Sequence, residues 1–395
     1  MKIHSLNYHK NKAYICTGLK VKERRAVSNG CLSYFYAMKI CIVYNAHPTG
    51  CSYYRLEMPN AYLGDNYPEF DYVCVENITT ISDEGLRSID LFLFSRLWVQ
   101  GTMEQVENVY KALTQFGAKI ILDLDDYWVL ESGHIMYRMY HEQKLADVIR
   151  KHIQLADWVT CTTKHLADRI RPLNANVSIL QNEPYEAYQQ FIPHPEEEPD
   201  KHLVKFGWFG GAQHGEDIEL LRDGMERMYF DKELDGRYRI YLGGWNDGNP
   251  VYEGYEQVFT AGGRNANYGR IQAADIYSYV GGYNFVNVTL APLRDTRFNK
   301  LKSELKAVEA GWMNKAFIAS DTVPYSDVIR HGENGFLVPY NKPKNWHRHM
   351  RELVLDADMR KGLADNLTAD IKKQFNVAET AKKRAELYRQ VGRKL

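Results

Sequence analysis

No run of about 18 apolar residues occurs in the sequence, and a membrane-spanning helix needs roughly that length. A C-x-x-C pair is also absent, and the cysteines lack the spacing of a zinc site. Scattered thiols of this kind predict a reduced, cytoplasmic chain rather than a disulfide scaffold. Composition still leaves a peripheral contact with a membrane surface open. The six cysteines are Cys16, Cys31, Cys41, Cys51, Cys74 and Cys161.

The sequence has no excess of charge of either sign, since 50 Lys and Arg residues balance 50 Asp and Glu residues. Counterion release therefore gives no general drive toward DNA or RNA, and we expect no nucleic-acid partner. Hydrophobic residues make up 45% of the chain and charged residues 25%, as in globular proteins. At about 150 residues per domain, a chain of 395 residues predicts two or three domains.

Residues 1–37 differ from the rest, with seven Lys and Arg residues against the single acidic Glu23. They contain no apolar stretch long enough for a signal peptide. Met38 then opens "MKICIVYNAHPTG", which predicts a buried strand that runs into a turn. The pattern favours a basic N-terminal extension that is accessory, with a partner-binding arm as the alternative.

From Met38 onward, short and almost continuously apolar segments alternate with helical ones. This alternation predicts a parallel sheet covered by helices on both faces. A proline-rich and Glu-rich segment interrupts it, which is typical of a linker, and the alternation then restarts. The predicted strands are 39–45, 70–76, 90–96, 118–126, 156–163 and 176–182, then 203–211, 238–245, 285–293 and 316–321, and the predicted helices include 103–116, 141–155 and 216–229.

We therefore predict two doubly wound α/β domains of the Rossmann type. Two such domains that face each other create a cleft lined by the loops at the carboxyl ends of the strands, where ligands bind. The predicted organisation is a first domain over 38–182, a linker over 183–203, a second domain over 204–343 and C-terminal helices over 344–395.

The strongest local signal is "FNKLKSELKAVEAG", residues 298–311, whose apolar spacing predicts a helix. Lys300, Lys302 and Lys306 crowd its start, where the helix dipole is already positive. A diphosphate would suit both Lys302 and the free amides of a helix N-terminus. On one helix, Lys306 and Glu309 would share a face with Lys302, and Glu309 could accept hydrogen bonds from a ribose diol. A solvated face with a local Lys306–Glu309 pair is the alternative.

Three further segments combine a predicted strand end with polar residues. In "FGWFGGAQHGED", Gly210 and Gly211 let backbone amides approach a phosphate. His214 either donates a hydrogen bond to that phosphate or is an exposed loop residue. In "DLDDYW", Asp125 and Asp126 bond an acceptor hydroxyl or cap a helix, while a divalent metal held with Asp123 is the competing interpretation.

The third segment is "HPTGCSYYR", the predicted turn after the first strand. Gly50 would let the chain approach a ligand there, and Arg55 would face that ligand one helical turn later; the alternative is that Gly50 only makes a turn and Arg55 is a surface residue. Arg96 ends another predicted strand, and burying it unpaired would be expensive. Asp125 or Asp126 is its expected partner.

These segments together resemble the GT-B nucleotide-sugar glycosyltransferases, in particular the group with a retaining-type C-terminal domain. The likeness is strongest in residues 291–339, with an APL strand end, an FN-x-x-KS-x-L-K-x-x-E helix and a G-x-NG-F-L-V turn. One departure matters. Many relatives carry two glutamates around this helix, and the first would fall at Leu301 or Lys302, neither of which is acidic. Only the second glutamate, Glu309, is kept. Residues 246–282 match no pattern.

The resemblance implies a sugar transferase that uses a nucleoside-diphosphate sugar as donor and a glycan or lipid-linked acceptor. It implies retention of anomeric configuration, with no metal or other cofactor. An epimerase or hydrolase on the same scaffold, or a non-catalytic nucleotide-sugar-binding protein, is the alternative. The implied catalytic residues are Lys302, Asp126, Asp125 and Arg96, and the implied donor-binding residues are Gly50, Gly210, Gly211, His214, Asn299, Ser303, Lys306 and Glu309.

Overall fold

The computed structural model describes residues 37–43, 50–97, 101–194 and 203–392. The predicted basic extension lies outside these ranges except for Ala37. Within them, two parallel six-stranded sheets are flanked by helices, as the alternating pattern predicts. The strands are β1 (Met38–Val43), β2 (Phe70–Val75), β3 (Leu91–Ser95), β4 (Lys119–Leu124), β5 (Trp158–Cys161), β6 (Val177–Ile179), β7 (Val204–Phe209), β8 (Tyr238–Trp245), β9 (Tyr268–Gln272), β10 (Val288–Ala291), β11 (Ala316–Ser320) and β12 (Phe336–Val338).

The helices follow the strands along the chain, and a π-helical segment, Tyr53–Glu57, connects the first two. Among the described residues, none of the helices combines the length and apolar character needed to cross a bilayer. The helices are α1 (Gly50–Ser52), α2 (Met58–Asn66), α3 (Asp83–Arg87), α4 (Met103–Gln115), α5 (Tyr137–Glu142), α6 (Leu145–Leu155), α7 (Lys164–Ile170), α8 (Gly215–Ile218), α9 (Arg222–Phe230), α10 (Pro250–Phe259), α11 (Leu305–Trp312), α12 (Lys344–Leu355), α13 (Ala357–Gln374) and α14 (Val377–Val391).

Each sheet has one place where the strand order reverses. The first sheet has the order β2-β1-β3-β4-β5-β6, and the second has β12-β11-β10-β7-β8-β9. The reversals fall between β1 and β3 and between β7 and β10. Clefts open beside the carboxyl ends of strands at such points, so the loops after these four strands are where a ligand site is expected.

The central strands of each sheet, such as β1, β3, β10 and β11, are almost entirely buried, which explains their continuous apolar sequences. All four apolar residues of β3, Leu91 to Phe94, are at most 1% exposed. Two strands escaped prediction, one because it is exposed and one because it is short. Strand β9 is partly exposed along its whole length at a sheet edge, and β12 has only three residues.

The last helix returns to the first sheet. Leu387 and Tyr388 of α14 pack in one core cluster with Met38 of β1 and Leu63 of α2. The Tyr388 hydroxyl also donates to Oδ1 of Asn60 at 3.1 Å. The end of the chain therefore stabilises the domain in which the described chain begins.

Candidate active site

Four charged side chains form a chain of ion pairs between the two domains. Nη1 of Arg96, just after β3, lies 3.7 Å from Oδ1 of Asp125 and 3.9 Å from Oδ2 of Asp126. The other oxygen of Asp126 lies 3.5 Å from Nζ of Lys302, which belongs to the second domain. The structure thus brings together all four residues predicted to be catalytic, at the carboxyl ends of β3, β4 and β10.

These ion pairs are partly exposed, with side chains 18–26% accessible, and their distances are longer than those of tight hydrogen bonds. Burial alone would lower the pKa of Arg96, but Asp125 and Asp126 outweigh it and raise the pKa. Nζ of Lys302 also lies 4.7 Å from the centre of the Phe298 ring. The cluster therefore presents charges of both signs that an incoming anion or hydroxyl can contact.

The segment around Lys302 differs from the prediction, which was wrong about where the helix starts. Residues Asn299–Leu301 form a single 3₁₀ turn, Lys302 is extended with φ −71° and ψ 168°, and α11 begins only at Leu305. Lys302, Lys306 and Glu309 therefore do not share one face of a continuous helix. Long-range hydrogen bonds hold this segment away from a continuous helix, since Asn299 donates to Asp217 and Ser303 accepts from Asn182 of the first domain.

Lys300 is separate from this cluster. Its Nζ lies 2.6 Å from Oδ1 of Asp295, and both side chains are about half exposed, at 49% and 48%. Such a surface pair contributes little to stability. Of the three crowded lysines, Lys300 faces water rather than the other domain.

Lys306 lies beneath the glycine turn that follows β7. Its ammonium donates to the Phe209 carbonyl and lies 5.4 Å from the centre of the Trp208 ring. Burial lowers the pKa of Lys306 below its ordinary value, and Lys302 adds to that effect. A Cβ at Gly210 would lie 2.6 Å from Cζ2 of Trp208 and 3.2 Å from Nζ of Lys306. Only glycine fits there, because the Trp208 ring occupies the space that a side chain would need.

The neighbouring predicted positions are less constrained. A Cβ at Gly211 would contact none of the described residues within 4 Å. Gly50 is exposed at the start of α1, where a Cβ would make an ordinary contact of 3.7 Å with Ile276 of the other domain. Residues 44–49, which include the beginning of the predicted "HPTGCSYYR" turn, lie outside the described ranges.

Glu309 is buried, with 3% exposure, and accepts hydrogen bonds from three tyrosines. Tyr54 donates to Oε1 at 2.9 Å and Tyr283 to Oε2 at 2.6 Å, while Tyr279 also donates to Oε1. Tyr54 comes from the first domain, so this carboxylate is also a contact between domains. No motif in the sequence predicts this tyrosine cluster.

Asp217 organises two of the predicted donor-binding residues. Its Oδ2 lies 2.8 Å from Nδ1 of His214, and its Oδ1 accepts from Nδ2 of Asn299 at 3.1 Å. The backbone amide of Arg294 donates to the same Oδ1 at 2.8 Å. Asp217 is only 6% exposed. The sequence pattern gave no reason to single it out, because its partners other than His214 lie about 80 positions away.

Ser303 belongs to a buried network that spans both domains. Its hydroxyl accepts from Nδ2 of Asn182 at 3.1 Å, and Oδ1 of Asn182 accepts from Arg55 at 3.1 Å. Arg55 also makes two hydrogen bonds of 2.9 Å to Asp123. The expectation that Arg55 faces a ligand is therefore wrong, since it is 2% exposed and fully engaged with Asp123 and Asn182. Asp123 is accordingly not available to complete a three-carboxylate metal site.

A loop of the first domain also reaches the second domain close to Lys302. Glu131 accepts from the backbone amide of Arg297 at 2.9 Å, and the His134 ring packs edge-on against Phe298 at 5.1 Å. Burial and the nearby charge of Lys302 lower the pKa of His134. Sequence reasoning missed His134, since a lone histidine in a loop carries no pattern.

Comparison with known proteins supports the predicted resemblance. Residues 305–369 match the model of the family "Glycosyl transferases group 1". No curated protein matches the chain.

Similar solved structures include HepE of Anabaena in complex with UDP-glucose, at 12% identity and a TM-score of 0.63, covering 89% of this chain and 100% of that one. Sucrose-phosphate synthase of Thermosynechococcus elongatus matches at 14% identity and a TM-score of 0.63, covering 89% of this chain and 98% of that one. A glycosyltransferase of Rickettsia africae matches at 11% identity and a TM-score of 0.61, covering 90% of this chain and 98% of that one. Identities this low show the shared fold. The chain therefore has the GT-B fold, and residues 305–369 within it are similar to the group 1 glycosyltransferases.

Proposed function

We propose that the protein transfers a sugar from a nucleoside-diphosphate sugar to a glycan or lipid-linked acceptor, with retention of configuration and without a metal. The observation that carries this proposal is the cluster of Lys302, Asp126, Asp125 and Arg96, which joins the two domains at the carboxyl ends of their strands. The donor class is supported by HepE, a protein of the same fold that was solved with UDP-glucose.

On the donor side, the diphosphate lies beside Lys302 and the start of α11. Lys302 and the first amides of α11 supply positive charge and hydrogen-bond donors where the leaving diphosphate gains negative charge. The glycine turn after β7 leaves space for the phosphates at Gly211, where a Cβ would contact none of the described residues within 4 Å. Glu309 binds the ribose. Because Glu309 is buried and already accepts from three tyrosines, ribose binding requires Tyr54 of the first domain and at least one of its tyrosine neighbours to move aside, and the ribose hydroxyls then replace them as hydrogen-bond donors.

On the acceptor side, Asp125 and Asp126 orient the acceptor by accepting hydrogen bonds from hydroxyls other than the attacking one, and Arg96 holds the two carboxylates in place. The bond from the anomeric carbon to the phosphate oxygen breaks as the acceptor oxygen bonds to that carbon. The proton of the acceptor hydroxyl moves to the departing diphosphate. Such a front-face reaction retains configuration and needs no nucleophile from the protein.

A nucleotide panel tests the donor class. We expect one of UDP, GDP, ADP and CDP to raise the melting temperature more than its monophosphate, because Lys302 contacts the phosphates. A ligand present at about 100 times its Kd stabilises the native state by about 2.7 kcal/mol, which a thermal-shift assay detects readily.

Incubating the matching sugar nucleotides with and without candidate acceptors then separates the possible reactions. Sugar transfer only in the presence of an acceptor supports the proposal. Release of free sugar or an epimerised donor without any acceptor would show a hydrolase or an epimerase instead. If no nucleotide changes the melting temperature, the donor assignment fails.

A further inference from the structure

Asp217 joins the two loops that meet at the switch point of the second sheet. It lies in α8, directly after the glycine turn of β7, and it accepts from the Arg294 amide and from Asn299, both in the segment after β10. Because Asp217 is 6% exposed, removing the carboxylate would take away a buried acceptor from the Arg294 amide and one of the two acceptors of the Asn299 side chain. One side chain thus fixes the glycine turn against the segment that leads to Lys302.

The second oxygen of Asp217 fixes the orientation of His214. Nδ1 of His214 lies 2.8 Å from this oxygen, and a carboxylate can only accept, so Nδ1 carries the proton. Nε2 of the neutral ring then has a lone pair that can take up a second proton. The ring also packs edge-on against Trp208 at 5.8 Å, which limits its rotation.

The charges around His214 oppose its protonation. Burial lowers the pKa of His214, the hydrogen bond to Asp217 counteracts this effect, and the lysines lower the pKa further. A diphosphate beside the two lysines would offset their positive potential and raise the pKa again. The titratable groups around His214 are Asp217 on its own segment, Tyr255 on α10, Lys302 just before α11 and Lys306 within α11.

We propose that Asp217 is a positioning residue for the donor: it holds the His214 ring so that Nε2 takes up a proton when a nucleoside diphosphate binds beside Lys302 and Lys306. This inference rests on the proposed function, because the diphosphate is that of the sugar donor. The proton comes from solvent, adds one positive charge to the diphosphate site and returns to solvent when the nucleotide leaves. Asp217 stabilises the resulting imidazolium as its counter-ion.

Calorimetric titration of the whole chain in two buffers of different ionisation enthalpy counts the protons taken up. The probe is the diphosphate that the panel selects from UDP, GDP, ADP and CDP, used at about pH 7.5, where a phosphate with a pKa near 6 is already ionised. We expect the wild type to take up more protons per site than His214→Gln. Asp217→Asn should lose the same uptake and bind about tenfold more weakly.

Asp223→Asn is the matched control, since Asp223 is a nearby carboxylate that is exposed and pairs with Arg227 at 2.7 Å. It should keep the wild-type affinity and proton count. A merely structural Asp217 would change affinity but not proton uptake, so Asp217→Asn with wild-type uptake would overturn the inference. Equal uptake by wild type and His214→Gln would do the same, even if Asp217→Asn is too unstable to titrate. Absence of any diphosphate binding would contradict the proposed function itself.

Discussion

Replacing Lys302 by alanine is expected to lower kcat/KM for the sugar donor by about 30- to 1000-fold. Removing one preorganised electrostatic contact to a charge that develops in the transition state typically costs about 2–4 kcal/mol. Lys302 is placed for this role, since it faces Asp126 of the other domain at 3.5 Å where the diphosphate is proposed to leave. Initial rates with the donor that the nucleotide panel selects provide the measurement.

Lys300→Ala is the control for this experiment. Lys300 is two residues away and carries the same charge, but its ammonium pairs with Asp295 at the surface. It should retain activity within about twofold, because exposed charges contribute little and are screened by salt. If both variants lose activity equally, the effect of Lys302 is a general one of net charge. If Lys302→Ala stays within a few-fold of the wild type, Lys302 does not contact the diphosphate.

Replacing Arg55 by methionine is expected to destabilise the protein by about 3–5 kcal/mol, because the Asp123 carboxylate would remain buried without its partner. Arg55 and Asp123 are 2% and 4% exposed and are held by two hydrogen bonds of 2.9 Å. Arg55 also holds Asn182, which in turn bonds Ser303 of the second domain. Urea unfolding followed by circular dichroism measures the loss.

Two further variants sharpen this result. Arg150→Met removes an arginine from an exposed pair with Asp147, also 2.9 Å long, and should cost less than about 1 kcal/mol. Replacing Arg55 and Asp123 together by apolar residues should recover part of the loss, since no buried charge is then left unpaired. A cost for Arg55→Met no larger than that for Arg150→Met would contradict the buried network.

The sequence was sufficient to predict two parallel sheets, because their central strands are buried and therefore continuously apolar. Strand β10 and the residues after it were recognised for the same reason, together with the motif that follows. Periodicity was misleading for the start of α11. The apolar spacing of Leu301 and Leu305 continues across Lys302, although the backbone there is extended. Hydrogen bonds of Asn299 and Ser303 to distant residues decide that local conformation, and periodicity does not show them.

The partners of the site residues were the part that sequence could not supply. Tyr54 donates to Glu309 from 255 positions away, and Asn182 donates to Ser303 from 121 positions away. Asp217 was passed over because a single aspartate at the start of a helix is ordinary. Only the fold shows that it holds His214 and Asn299 at once. Single residues with long-range partners are thus the class that pattern analysis misses.

The most direct test of the proposed donor site is a double-mutant cycle between Lys302 and the terminal phosphate of the nucleotide. Calorimetry would give the Kd of the selected nucleoside diphosphate and of its monophosphate for the wild type and for Lys302→Ala. If Lys302 contacts the diphosphate, the variant should bind the diphosphate at least about tenfold more weakly, as expected for a lost charge-assisted hydrogen bond. Its affinity for the monophosphate should change by less than about threefold. Equal losses for both nucleotides would contradict the placement of the diphosphate beside Lys302.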